Sequence, residues 1–145
     1  MASSGSYFID RASAEMAVNM SLPMIAEAMT RHEVGESGFL YIVIMDPALT
    51  PLHSSFEEAI LYEYALGDKA EWDADYAAFA RAKARVAWRT GLDGHAVQEL
   101  RPHLLTARDT VLWGSVVLDG IVVSASGAHP WYDEAFAGTV AMCLR

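Results

Sequence analysis

The chain has 145 residues, of which 53% are hydrophobic and 20% are charged, and its formal net charge is −9. This composition excludes a disordered chain, and the length predicts one domain with a buried core. The negative charge argues against a nucleic-acid partner. A single cysteine, Cys143, excludes an internal disulfide.

The sequence contains no apolar run of the roughly 18 residues that a membrane span needs. The first residues also lack the basic and apolar regions of a signal peptide. We therefore expect a cytoplasmic protein with no membrane partner. Residues 1–9 are predicted to form a flexible tail, and residues 10–145 are predicted to form one domain.

The first half of the chain predicts a helix and two strands. The helix runs from Asp10, as its cap, to Arg31, with a kink or break at Pro23. Phe39 to Met45 is an apolar run typical of a strand covered on both faces. After a proline-containing loop, Ala59 to Leu66 alternates as a second strand. Spacing along the first helix places three methionines on one face, as core or as an interface: Met16, Met20 and Met24.

The second half predicts a helix from about Trp72 to Thr90, ended by Gly91, and a short helix over residues 96–100. Strands over 110–118 and 120–125 follow, joined by an Asp119-Gly120 hairpin turn, and a last helix begins near Pro130. This order predicts an α+β sandwich on an antiparallel sheet. One row of basic residues on the middle helix is expected to be solvated or to form salt bridges between subunits: Arg81, Arg85 and Arg89.

The junction over residues 124–134 is the predicted functional site. A strand that ends at Gly127 and a helix that begins at Pro130 leave unpaired backbone N–H groups beside the positive end of a helix dipole. We therefore expect Ser126 and Gly127 to accept an anionic group, with His129 and Tyr132 as further ligand-binding residues.

Three charged residues are candidates for acid–base catalysis. Asp133 and Glu134 lie in the first turn of the last helix, where a carboxylate either stabilises the helix or serves as a base. Lys83, flanked by alanines, is expected to be uncovered, and is a candidate to meet an anionic ligand, to pair with Asp133 or to stay solvated. The five histidines form no zinc motif. His53 and His129, each in a loop beside a strand end, are candidate ligands of a haem iron, although a surface or structural role is the common one for a lone histidine.

Several short motifs, in order, resemble the GlcG/HbpS family of small haem-binding domains, which includes the C-terminal domain of PduO-type adenosyltransferases. They are Val43 to Asp46, Ala80 to Ala84, Gly114 to Val116, Ser124 to Gly127, and Asp133-Glu134. The resemblance covers roughly residues 10–145. It implies a profilin-like α-β-α arrangement around an antiparallel sheet of about five strands, assembly into homo-oligomers, haem as a ligand, and Gly114 beside the pocket.

Three functions remain open at this point. The first is a small-ligand-binding module with haem as the ligand that the resemblance implies. The second is a cofactor-independent lyase or isomerase that acts on a carboxylated metabolite, with Asp133 or Glu134 as its base and the Ser126 and Gly127 amides as its anion holder. The third is a structural oligomer with a vestigial pocket.

Overall fold

The structure, a computed structural model, describes residues 9–145. Within them, the elements follow the predicted order. They are α1 (Arg11–Ala28), β1 (Leu40–Met45), β2 (Ile60–Leu66), α2 (Tyr76–Thr90), α3 (Gly94–Leu100), β3 (Ser115–Leu118), β4 (Ile121–Ser126) and α4 (Pro130–Cys143). The predicted tail over residues 1–9 lies outside the described residues except for Ile9, which is buried in the core.

Helix α1 begins as predicted and passes through its proline. The Asp10 carboxylate accepts the N–H of Ser13, whose hydroxyl accepts the N–H of Asp10, so the helix starts with a reciprocal capping box. Pro23 lies inside the helix and does not break it. The methionine face is not part of this chain's core, because Met16, Met20 and Met24 are exposed.

The four strands form one antiparallel sheet in the order β2-β1-β4-β3, close to the sheet of about five strands that the resemblance implies. The central strands β1 and β4 are buried along their whole length. Alternate residues of β1 face opposite layers: Ile42 packs in the core beneath α1 and α4, and Val43 packs in the core beneath α2. The fold is thus an α+β domain with helices on both faces of the sheet, as predicted.

Strand β3 is shorter than the sequence predicts. Residues 110–114 were expected to extend it, but it begins at Ser115. Gly114 has a φ of 156°, which interrupts the strand, although its carbonyl still accepts the N–H of Ala125 at 2.9 Å. The predicted hairpin turn is confirmed, with φ values of 52° at Asp119 and 84° at Gly120.

The arginine row on α2 forms salt bridges within the chain. Arg81 binds the Glu63 carboxylate through two nitrogens, at 2.5 and 3.0 Å. Arg85 pairs with Glu57, and Arg89 pairs with Asp109. These pairs connect α2 to strand β2 and to the loops that carry Glu57 and Asp109.

Among the described helices, α1 to α4, none has both the length and the hydropathy that crossing a membrane requires.

Candidate functional site: a buried ion pair behind a polar cleft

Lys83 of α2 and Asp133 of α4 form an ion pair between the two helical layers. The two helices lie on opposite faces of the sheet, and the Lys83 Nζ reaches past the end of β4 to lie 2.9 Å from the Asp133 Oδ2. The same ammonium donates to the Ala125 carbonyl at 3.2 Å. The side chains are only 3% and 1% exposed. Lys83 is therefore buried, contrary to the expectation that little would cover it, and its pairing with Asp133 was one of the predicted alternatives.

Gly114 makes room for this pair. A Cβ on Gly114 would stand 2.8 Å from the Ala125 carbonyl oxygen, 3.0 Å from the Asp133 Cβ and 3.0 Å from the Lys83 Cδ. A side chain at this position would thus occupy the space through which the lysine reaches the carboxylate. The structure thus places Gly114 next to two of the predicted catalytic residues, where its lack of a side chain leaves room for theirs.

Burial raises the pKa of Asp133 to about 6, against the opposing effects of Lys83 and of two backbone N–H groups, those of Ala128 and Gly127. Loss of hydration penalises the carboxylate, while the neighbouring ammonium and the N–H groups stabilise it. The carboxylate therefore remains mostly ionised at neutral pH and becomes protonated in mildly acidic solution.

The backbone amides at the start of α4 are largely engaged by the protein itself. The Ala128 N–H donates to the Asp133 Oδ1 at 2.9 Å, and the His129 N–H donates to the Val34 carbonyl at 3.0 Å. The sequence predicted an anionic ligand at this point. In the structure, the Ala128 amide instead bonds to the protein's own carboxylate, that of Asp133.

A polar cleft of about 410 Å³ lies directly in front of these amides. One wall is the turn that follows β4, and the opposite wall is the turn that follows α1. The two turns touch through backbone, since a Cβ on Gly35 would stand 3.0 Å from the Gly127 carbonyl oxygen. The cleft is lined by Gly35, Glu36, Ser37, Asp73, Tyr76, Gly127, Ala128 and His129.

His129 is the predicted residue that is best placed to meet a ligand in this cleft. Neither of its ring nitrogens has a hydrogen-bond partner within residues 9–145, and its ring stacks on the exposed Trp131 with 5.1 Å between centroids. Across the cleft, the Tyr76 hydroxyl donates to the Asp73 carboxylate at 2.5 Å. Glu36 adds a second carboxylate to the lining.

The other predicted site residues lie elsewhere. Ser126 is buried at the end of β4, and Tyr132 packs at the margin of the core between α1 and α4. His53 is exposed in the loop between β1 and β2, where its Nδ1 lies 2.9 Å from the Thr50 hydroxyl. The structure thus separates His53 from His129 and from the cleft.

Glu134, the neighbour of Asp133, contacts a residue that sequence reasoning did not select. Its Oε1 accepts the backbone N–H of His95 at 3.1 Å, and its Oε2 contacts the His95 Nδ1. Burial raises the pKa of Glu134, while the bond to His95 opposes this shift. The cleft residues Glu36, Asp73 and Tyr76 were missed as well. Their only sequence signal was proximity to predicted turns, since Glu36 precedes strand β1, Asp73 precedes helix α2 and Tyr76 is the first residue of α2.

The fold and the cleft together define a small α+β domain with helices on both faces of an antiparallel sheet and a ligand-sized depression at one end. No family model and no curated protein matches the sequence. Solved structures match its fold. The Klebsiella pneumoniae protein ORFY, of the DUF336 family, superposes with a TM-score of 0.62 at 15% identity, over 94% of this chain and 90% of that one.

Two further structures share the fold. The Ybr137w protein has a TM-score of 0.61 at 15% identity and matches 96% of this chain and 80% of its own. The PduOC:heme complex has a TM-score of 0.52 at 15% identity, over 88% of this chain and 91% of that one. The resemblance to the GlcG/HbpS group is thus confirmed at the level of the fold.

Proposed function

We propose that this protein is a small-ligand-binding domain and that its ligand occupies the polar cleft between the turn after α1 and the turn after β4. The observation that carries the proposal is the His129 imidazole, which lines a cleft of about 410 Å³ and whose nitrogens have no hydrogen-bond partner within residues 9–145. A volume of this size is typical of small-molecule sites. The fold supports the proposal, because a solved structure that shares it is a haem complex.

The charges around the cleft favour a zwitterionic metabolite. Glu36 and Asp73 line one side, and none of the lining residues is a lysine or an arginine. These carboxylates suit an ammonium or guanidinium group on the ligand. On the other side, the His129 imidazole can donate an N–H to an anionic group of the ligand. A small amino-acid-like compound carries both groups.

Thermal-shift and calorimetric titrations with a panel of small zwitterions, each paired with its uncharged amide analogue, test this proposal. We expect at least one zwitterion to bind and its uncharged analogue to bind at least about tenfold more weakly, which corresponds to the loss of about 1.4 kcal/mol. His129→Ala and Asp73→Asn should each weaken binding, whereas His103→Ala, a histidine outside the cleft, should not. A panel without any binding, or binding that both cleft variants retain, would overturn the proposal.

Binding explains the geometry better than catalysis by the predicted acid–base residues. A catalytic base must come within hydrogen-bond reach of the proton that it removes. The side chains of Asp133 and Lys83 are 1% and 3% exposed, and each already bonds to the other. In this arrangement Asp133 holds the Ala128 wall of the cleft through its Oδ1, so we assign it a positioning role. A lyase or isomerase would need the cleft wall to open.

Haem is the ligand that the PduOC:heme complex suggests, and the residues of the cleft do not fit it. An axial imidazole is present in His129, but the lining is polar. Glu36 and Asp73 would repel haem propionates, and none of the lining residues offers a cation to offset them. We therefore expect the Soret band of the protein mixed with haem to be the same in the wild type, in His129→Ala and in His53→Ala, because neither histidine ligates the iron. A histidine-ligated spectrum lost in one of these variants would restore haem as the ligand.

We also propose that the domain self-associates through the exposed face of α1. Three methionines there follow one another at intervals of one helical turn: Met16, Met20 and Met24, which are 63%, 63% and 47% exposed. Contiguous apolar side chains of this kind are typical of interaction surfaces.

A further inference from the structure

Asp93, His95 and Glu134 form a cluster of potential metal ligands next to the Lys83–Asp133 pair. Each contributes one donor atom, and the three atoms lie within 4.8 Å of one another. Asp93 immediately precedes α3, His95 lies in the first turn of α3, and Glu134 is the fifth residue of α4. Two segments 39 residues apart in the chain therefore meet at one point.

Backbone amides orient both carboxylates of the cluster. The Val117 N–H donates to the Asp93 Oδ1 at 2.8 Å, and the His95 N–H donates to the Glu134 Oε1 at 3.1 Å. One oxygen of each carboxylate is thus held by the main chain. The second oxygen of Glu134 contacts the His95 Nδ1, and a metal ion placed between these two atoms would replace that contact. Metal-binding carboxylates are commonly fixed by such outer hydrogen bonds.

The cluster has a negative charge that no strong base neutralises. Within residues 9–145, neither Asp93 nor Glu134 forms a salt bridge with a lysine or an arginine, and the one charged partner of Glu134 is His95. Glu134 is buried and lies beside the Asp93 carboxylate. A bound cation would relieve both effects, because it would compensate the lost hydration and screen the two carboxylates from each other.

A buried hydroxyl beside the cluster lacks a partner. Ser115 is completely buried, and its Oγ has no hydrogen-bond partner within the described residues. It lies against the segment that carries two of the three candidate ligands, since a Cβ on Gly94 would stand 2.9 Å from this oxygen. Buried polar groups normally form a hydrogen bond, so the Ser115 hydroxyl is well placed to bond to a water molecule that is itself a ligand of an ion.

We propose that Asp93, His95 and Glu134 bind a divalent transition-metal ion, with the Ser115 hydroxyl bonded to a water ligand of that ion. Donor atoms about 2.1 Å from one ion are at most about 4.2 Å apart, and the three donor atoms, which lie within 4.8 Å of one another, can reach such separations by small rotations of the side chains. An imidazole with two carboxylates suits ions of the series from Mn²⁺ to Zn²⁺, whereas Mg²⁺ and Ca²⁺ prefer oxygen alone. His95 is half exposed, which leaves a route for the ion and for its water ligands.

Calorimetric titration of the untagged protein with ZnCl₂ tests the site. We expect one ion per chain in the wild type, and an affinity at least about tenfold lower in His95→Ala and in Glu134→Gln. His103→Ala is the matched control, since it removes an exposed histidine from the next helical turn of the chain and should bind Zn²⁺ as the wild type does. His129→Ala should also bind normally, which separates this site from the polar cleft.

A second readout uses Trp113, whose ring lies 5.7 Å from the ring of His95. Paramagnetic Co²⁺ at the site should quench tryptophan fluorescence, and the quenching should fall sharply in Trp113→Phe and in His95→Ala. Circular dichroism establishes that each variant is folded. Of these substitutions, His95→Ala should disturb the core least, because His95 is half exposed. Absence of Zn²⁺ binding at millimolar metal, or unchanged binding in a folded His95→Ala variant, would overturn the proposal.

Discussion

Gly127 and Phe39 approach so closely that a Cβ on Gly127 would stand 1.9 Å from the Phe39 carbonyl oxygen. The φ of Gly127 is 147°, a value that side-chain-bearing residues rarely adopt. This glycine therefore joins the end of β4 to the segment before β1 by backbone contact. The sequence indicated Gly127 as a place where an anion approaches the main chain, and the structure shows a neighbouring strand segment in that space.

Gly127→Ala is therefore expected to destabilise the fold itself. The added carbon must displace the main chain at Phe39, and the backbone is strained as well, so we expect a loss of at least about 3 kcal/mol in the free energy of unfolding. Gly138→Ala is the control. This glycine lies inside α4 with only a side-chain atom at 4.0 Å, so alanine should raise stability by up to about 1 kcal/mol. Urea unfolding measures both, and a Gly127→Ala variant as stable as the wild type would contradict the contact.

Removal of one partner from the Lys83–Asp133 pair should cost much more than removal of both charges. Lys83→Met leaves a buried carboxylate without its ammonium, and breaking a buried pair in this way costs about 3–5 kcal/mol. In the double variant Lys83→Met/Asp133→Asn, the amide oxygen still accepts the Ala128 N–H and no charge remains buried. Urea unfolding of the two single variants and the double variant completes the cycle. Additive losses would show that the two residues do not interact.

Stability should fall as the pH rises through the titration of Asp133. The pKa is raised to about 6 in the folded state from an ordinary value of 3.8, so between these values the folded state binds a proton that the unfolded state has lost. Stability therefore decreases with pH in this window, by a difference on the order of 3 kcal/mol. The Asp133→Asn variant has no titrating group at this position and serves as the reference. The stability of the wild type relative to Asp133→Asn should decline from about pH 4 to pH 6, and a flat or rising difference would refute the raised pKa.

Self-association through α1 should depend on the methionine face. We expect light scattering to give a mass of at least twice that of one chain at micromolar concentration, and Met16→Lys/Met20→Lys to yield monomers, because charge at the centre of an apolar contact is costly. Arg81→Gln is the control, because its partner Glu63 lies in the same chain. A wild-type monomer at this concentration would rule out self-association.

Local patterns in the sequence determined the succession of elements. The Asp10 cap, the Gly91 helix end, the Asp119-Gly120 turn and the Pro130 helix start each depend on neighbouring residues, and the structure shows all four. Alternation and apolar runs placed both central strands. The boundary of β3 was missed because an unusual φ at Gly114 depends on packing against Lys83 and Asp133, which the local pattern does not reveal.

Only the tertiary structure decided which of these residues meet. The sequence selected Lys83, Asp133, Glu134 and His129, but it could not show that the first two bury each other, that Glu134 binds His95, or that His129 faces Glu36 and Asp73 across a cleft. Each of these relationships joins segments far apart in the chain. Helix and strand propensities arise from neighbours a few residues away, whereas burial, pKa and charge complementarity depend on which distant segments the folded sheet brings together.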